Sequence, residues 1–291
     1  MWGPLGGRVV RTCRAAAGCL PQNGGMLSNL LLVAGCSLGA VVVLMGVTAA
    51  VGRAQGRVAV VDTAWSLGFV VISLVAFALG EGPLWRRVLF VVLVAVWAGR
   101  LAWHVSGRNK GKGEDPRYER LLAQAPEGRR FSYAVRRVYA TQGVAMWFVS
   151  LPIQFSAAAG DGLWWVTIVG GVVWAVGLWF EATGDRQLKE FKADPANKGN
   201  VMDRGLWAWT RHPNYFGDFT VWWGLYLVAA SAWPGVLTVL SPLAMAFFLI
   251  VVTGGRLLEK DMATRPGYPE YQRRTSFFLP RPPRRNTSAS G

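Results

Sequence analysis

The stretch GLWWVTIVGGVVWAVGLWFEATGDRQLKEFK, residues 162–192, decides the fold class. Its first 21 residues, Gly162–Ala182, hold a single ionisable group, Glu181, whereas Asp185, Arg186, Lys189, Glu190 and Lys192 crowd the remainder. A helix needs about 20 apolar residues to cross about 30 Å of hydrocarbon. The apolar positions here are continuous rather than alternating every second residue, which argues against a spanning strand barrel. Working outward, runs of the same character cover Met26–Val51, Val58–Leu79, Leu84–Val105 and Met146–Ala159 with its flanks. Two more, Tyr215–Ala232 and Gly235–Val252, are parted by Trp233-Pro234. The expectation is an all-α polytopic membrane bundle of about seven transmembrane helices, occupying residues 26–278. With 52% hydrophobic residues, 15 tryptophans and a mean hydropathy of +0.28, the 291-residue chain has too many long apolar runs for a soluble domain.

A net charge of +15 raises the question of nucleic acid, but the charges lie between the apolar runs and form no folded basic face. Nine Lys/Arg lie from Arg108 to Arg137, six from Arg186 to Arg211 and eight from Arg256 to Arg285, while Ala157–Gly162 and Ser231–Gly235 carry none. Loops rich in Lys/Arg stay on the cytoplasmic side, so these three segments and the C-terminus are expected in the cytoplasm, in a bacterial plasma membrane. Arg86 and Arg87 break the pattern, falling on the opposite side. Residues 1–25, with Arg8, Arg11 and Arg14, also fit poorly. They are expected to form a poorly ordered N-terminal extension, either a targeting segment or sequence upstream of an initiator at Met26. Residues 279–291, with Pro280-Arg-Pro-Pro-Arg-Arg285 followed by small polar residues, are expected to be a disordered basic tail.

Cys13, Cys19 and Cys36 show no CxxC spacing and suggest neither a disulfide framework nor a metal site. His104 and His212 are the two histidines, which speaks against a histidine-rich metal centre.

Ionisable groups at membrane depth are costly and mark sites or pairs. Glu181, Asp185, Lys189 and Lys192 share one face of a helix running out of the fifth apolar run. Either they close salt bridges along that helix, or the lysines meet a phosphorylated ligand and a carboxylate accepts from a sugar or amide. The segment Gly205-Leu-Trp-Ala-Trp-Thr-Arg-His-Pro-Asn-Tyr-Phe-Gly-Asp218 then gathers Arg211, His212, Asn214, Tyr215 and Asp218 at the entry to a span. Pro213 suits the first helical position, where its missing N–H costs nothing. Asn214 and Asp218 then lie one turn apart on one face, and Arg211 offers a planar fork suited to phosphate. Glu259 and Tyr268 follow the last run and are placed to close the same site. A short amphipathic helix is expected from Pro116, and Ala193–Gly205 reads as a loop.

These motifs resemble the bacterial DUF1295 family of the steroid 5α-reductase superfamily. The resemblance rests on Gly177–Asp218, Leu257-Leu-Glu259 and Gly267-Tyr-Pro-Glu-Tyr271. It extends to Asp62-Thr-Ala-Trp65, Arg100, Gly113-Glu-Asp-Pro-Arg-Tyr118, Ser150-Leu-Pro152 and Asn197–Asp203. It implies a seven-helix bundle that holds NADPH in a cavity open to the cytoplasm and reduces a carbon–carbon double bond conjugated to a carbonyl, in a steroid-like or other lipid. By position, the resemblance puts Asp185, Lys189, Lys192, Asn214 and Asp218 at cofactor-binding places, with Arg211, His212 and Tyr215 in the same motif and Glu259 and Tyr268 at its edge. The steroid enzymes polarise the substrate carbonyl with a glutamate on the second span and a tyrosine on the third. Here the second span offers Asp62, expected as a buried acid that donates a hydrogen bond, and the third offers Trp97 near the tyrosine position. Asp62 and Tyr215 are the candidate catalytic residues. Glu181 stands where those enzymes carry a neutral amide. The competing reading is a membrane methyltransferase using S-adenosylmethionine, since isoprenylcysteine and phospholipid methyltransferases share a similar Arg-His-Pro-x-Tyr element. Lys189 and Lys192 favour a phosphate-bearing cofactor. The absence of a repeat disfavours a transporter.

Overall fold

The computed structural model describes residues 23–252 and 254–283. The expected extension at 1–25 falls almost wholly outside these residues, as does the tail beyond 283. The described chain is helical, and among the described residues its β-type pairing is an isolated bridge of Thr210 with Ser276. The long elements are α1 (Asn23–Gln55), α2 (Val60–Leu79), α3 (Leu84–Asn109) and, beyond a loop holding the short α4 (Pro116–Leu122), a broken helix. That helix starts as α5 (Arg130–Ala134), passes through a π turn (Val135–Tyr139) into α6 (Ala140–Val149), and resumes after Ser150 as α7 (Leu151–Ala158). Next come α8 (Trp164–Ala193), α9 (Pro213–Ala230), α10 (Leu240–Phe247) with a π turn (Phe248–Val252), α11 (Gly255–Met262) and α12 (Tyr268–Arg274).

Five helical stretches among the described residues are long and apolar enough to cross a membrane: Gly25–Gln55, Val60–Leu79, Leu84–Asn109, Trp164–Ala193 and Gly235–Lys260. The polytopic all-α class therefore stands. The expected count of seven is not reached on length and composition. The run at Met146–Ala159 divides at Ser150, and α9 spans only 18 residues and buries Asp218.

Hydrogen bonds between connecting segments define two ends. At one end, Asn29 donates to Leu79 O (2.8 Å) and accepts from Glu81 N (3.1 Å). Gly82 N reaches Ala157 O (2.8 Å) and Leu163 N reaches Ser231 O (2.8 Å). Exposed Trp85, Trp164, Trp165 and Trp233 stand at this end, as expected of a membrane–water boundary. Arg87, anomalous in the charge pattern, closes the C-terminus of α2 by donating to Phe77 O (2.6 Å) and Gly82 O (2.9 Å). A cation is favoured there because the helix dipole ends negative.

The opposite, basic end carries the long loops. Glu114 accepts from the backbone N–H groups of Val58 and, at 2.9 Å, Ala59, and so caps the start of α2 from the α3–α4 loop. Between the ends, α8 and α9 form the tightest pair. A Cβ on Gly177 would stand 2.5 Å from Val221 N, and one on Gly217 would stand 2.7 Å from Glu181 Cα, so glycine alone lets these backbones meet. That approach brings Glu181, Asp185, Asn214 and Asp218 together. Beneath them, Phe69, Trp97 and Trp222 are fully buried and pack with ring centroids 4.7–5.6 Å apart.

Candidate functional site

The sequence-predicted residues fall into three groups near the basic end. The first lies on the α8–α9 seam. Helix α8 continues unbroken to Ala193, so Glu181, Asp185, Lys189 and Lys192 share a face as expected. The two acids do not bridge to those lysines. They turn inward to Arg100 on α3, whose Nη1 meets Asp185 at 2.7 Å and whose Nη2 pairs with Glu181. Helix α9 begins at Pro213, as its missing N–H allows, and Asn214 Nδ2 donates to Asp185 Oδ1 at 3.0 Å. His104 lies 3.7 Å from the same carboxylate. Asp218, one turn deeper, feels the Arg100 charge and is faced by the indole N–H groups of Trp97 and Trp222, neither of which closes a hydrogen bond. One guanidinium thus serves three buried carboxyl groups, and Glu181 Oε2 and Asp218 Oδ1 keep no hydrogen-bond partner among the described residues.

The second group holds Asp62. It was expected as an acid that donates. Instead it accepts on both oxygens, from the Tyr118 hydroxyl at 2.6 Å and from Arg117 Nη2 at 3.1 Å. This corrects the sequence reading: α4 supplies two donors that neighbouring-residue patterns do not reveal. Gln142 in turn donates to the Tyr118 oxygen at 3.2 Å. Burial first, and the Asp62 charge second, hold the Tyr118 phenol well above its ordinary range. Asp115 caps α4 by accepting from Arg117 N at 2.8 Å and binds the Arg117 side chain. Burial opposes its charge, yet the hydrogen bonds from Arg117 hold its carboxyl below the ordinary range.

The third group is the motif's far edge. Arg211, expected to offer its fork to phosphate, instead grips Glu259 through Nε (2.5 Å) and Nη2 (3.1 Å), while Nη1 donates to Gln272 O and Thr275 O. Its donors are committed within the chain, which corrects that expectation. His212 Nε2 lies 3.3 Å from Glu259. The Tyr268 hydroxyl also faces Glu259, and burial followed by that negative charge pushes it up to about 12.

Tyr215 joins the groups. Its ring stacks on His212 at 5.6 Å and 8°. The charges of Arg117, Arg108, Asp185 and Asp218 all bear on it, and its hydroxyl has no hydrogen-bond partner among the described residues. The charges that bear on Lys192 are those of Arg108 and Lys112, at the end of α3 and just beyond it, and of Arg265 after α11. Lys189 bears on His104. Sequence reasoning singled out neither Arg108, Lys112 and Arg265 nor the roles of Arg100 and Tyr118. Their number in the chain carries no local signal, and only the folded loops bring them together.

The family described as "Protein of unknown function (DUF1295)" matches residues 48–275, most of the chain and all three groups. This chain belongs to that family. The DUF1295 match is joined by similarity to steroid 5-alpha-reductase DET2 of Arabidopsis thaliana, 35% identical over 79 residues, which are 26% of this chain and 29% of that protein. An uncharacterized protein of Schizosaccharomyces pombe is 24% identical over 250 residues, covering 76% of this chain and 70% of its own. A probable O-methyltransferase, ustE of Ustilaginoidea virens, is 43% identical over 53 residues, 18% of each chain. The chain thus spans under a third of the Arabidopsis relative's length. These likenesses place the DUF1295 chain in the steroid 5α-reductase-like superfamily. No solved structure matches.

Proposed function

We propose that this protein is an integral membrane, NADPH-dependent reductase of a carbon–carbon double bond conjugated to a carbonyl, acting on a steroid-like or other lipid. The observation that carries the reading is the face of α8 on which Asp185, bound by Arg100 and Asn214, is followed by the exposed Lys189 and Lys192, with the charges of Arg108, Lys112 and Arg265 adding to the positive field at Lys192. Positive charge concentrated in this way attracts a polyanion, and a dinucleotide bears phosphates whereas S-adenosylmethionine bears none. The pair of buried Asp185 and half-buried Asn214 fits hydroxyl or amide groups of the same cofactor, so the residues present suit it. When bound, the dinucleotide supplies a hydride, and a proton completes the reduction.

The chain's own residues do the rest. Lys189 and Lys192 bind phosphate, and Arg100 holds Asp185 oriented toward Asn214. Phe69, Trp97 and Trp222 exclude water from below. Tyr215 carries its proton on a phenol oxygen that is free to donate to a substrate carbonyl. Asp62 positions α4 through Tyr118 and Arg117 beside that phenol. Arg211, His212, Glu259 and Tyr268 form the wall on which the Tyr215 ring rests.

The short match to an O-methyltransferase favours a second reading, S-adenosylmethionine-dependent methyl transfer. Thermal unfolding of the purified full chain with each cofactor separates the two. NADPH is expected to raise Tm and S-adenosylmethionine to leave it unchanged. Stabilisation by S-adenosylmethionine alone would sink the reductase reading, and unchanged NADPH binding in both Asn214→Ala and Asp218→Ala would remove the proposed site.

A further inference from the structure

Arg86 is the second basic residue at the end opposite the basic loops, and the site above leaves it unexplained. Unlike Arg87, it caps nothing. Its side chain is fully buried, yet Nε, Nη1 and Nη2 have no hydrogen-bond partner among the described residues. A guanidinium does not deprotonate in a protein, and a buried cation without acceptors is costly. Asp161 is near enough to attract it but closes no ion pair with it, and Asp161 itself is exposed. The Trp85 ring, 5.1 Å away, offers a face but no acceptor.

The backbone around Arg86 adds positive potential. Arg86 stands in the first turn of α3, which has neither an acidic residue in that turn nor a side-chain cap. Its Nη2 lies against Gly162, 2.5 Å from where a Cβ would be, just before the start of α8. Helix α8 likewise begins without an acid or a side-chain cap. Two long helices therefore present their uncapped N-termini at one buried guanidinium. Backbone N–H groups at such termini bind anions, and a planar fork matches phosphate oxygens. The exposed Trp85, Trp164, Trp165 and Trp233 mark this level as the membrane–water boundary, which is where lipid phosphates lie. The loop residues 160–163 beside Arg86 are exposed.

We propose that Arg86, with the N-termini of α3 and α8, forms a site for a phosphate oxyanion at the end of the bundle opposite the cofactor site, occupied in the membrane by a phospholipid headgroup. The proposal is independent of the reductase reading. Asp161 competes with the phosphate for the guanidinium.

The test is thermal unfolding of the delipidated full chain in phosphate-free neutral detergent, titrated separately with dihexanoyl phosphatidylglycerol, inorganic phosphate and dihexanoyl glycerol. Phosphatidylglycerol is expected to raise the wild-type Tm by about 5 °C or more near saturation, and dihexanoyl glycerol to do nothing. Arg86→Met should lose that rise while being at least as stable as wild type without lipid, because the unpaired charge is gone. Arg86→Lys, which keeps the charge but not the fork, should respond weakly and serves if the methionine variant does not fold. Asp161→Asn should respond at lower lipid concentration. A matching rise with inorganic phosphate supports the oxyanion site and assigns free phosphate as its source. Equal responses of wild type and both Arg86 variants, or no wild-type response to either phosphate probe, overturn the proposal.

Discussion

Arg100 shows how one side chain can organise a site it was not suspected of joining. It holds Glu181 and Asp185, which are 3% and 6% exposed. Removing one partner from a buried pair leaves an uncompensated charge, at about 3–5 kcal/mol. Arg100→Met is therefore expected to lower the Tm of the detergent-solubilised protein sharply, with Arg100→Lys intermediate because it restores charge without the fork. A Tm within a degree of wild type for Arg100→Met would show that the cluster contributes no stability. Asp115 makes a gentler prediction with a pH signature. As the cap of α4, its replacement by Ala should cost about 1 kcal/mol. Its carboxyl is held below the ordinary value of about 3.9. Its contribution is therefore complete above that pH and is lost as pH falls through the lower, folded value. The stability difference between wild type and Asp115→Asn should be constant at neutral pH and shrink below about pH 4. A gap that persists in acid would contradict this.

The α8–α9 seam sets the tolerance of the fold to a single methyl group. Gly177→Ala places a Cβ against backbone that has no side chain to move aside, so the helices must part at a cost of about 1–3 kcal/mol. Gly171→Ala, on the same helix but with nothing within 4 Å, should be neutral or stabilising by up to about 1 kcal/mol from helix propensity. Equal Tm shifts in the two variants would refute the close-packed seam. These elements also show what could be read in advance. The shared face of Glu181, Asp185, Lys189 and Lys192, the helix start at Pro213 and the short helix at Pro116 followed from spacing and proline chemistry. The partners of those residues did not. Asp62 lies 55 and 56 residues from its donors and Arg211 lies 61 and 64 from two of its acceptors. Periodicity has no reach at such separations. Arg211 looked like a phosphate fork because the sequence shows donors but not the carbonyls that have already engaged them.

At the scale of the whole molecule, polarity is divided between two ends of a bundle with an aromatic floor between them. If the cationic mouth holds cofactor phosphates, NADPH stabilisation should weaken as ionic strength rises from about 0.01 M to 0.15 M, where the screening length falls from about 30 Å to 8 Å. Lys192→Ala should lower NADPH affinity about tenfold, as expected for one charge-assisted contact. A salt-independent affinity would place the phosphates elsewhere.

The grip of Arg211 on Gln272 and Thr275 has a consequence for the order in which the protein is made. Arg211 leaves the ribosome 61 residues before Gln272, and the last long apolar stretch, Gly235–Lys260, must be inserted in between. Until α12 returns, Arg211 lacks both carbonyl acceptors and the wall behind Tyr215 is incomplete. The wall behind Tyr215 is therefore completed only after that stretch has been inserted, and a nascent chain interrupted before α12 carries an unfinished candidate site.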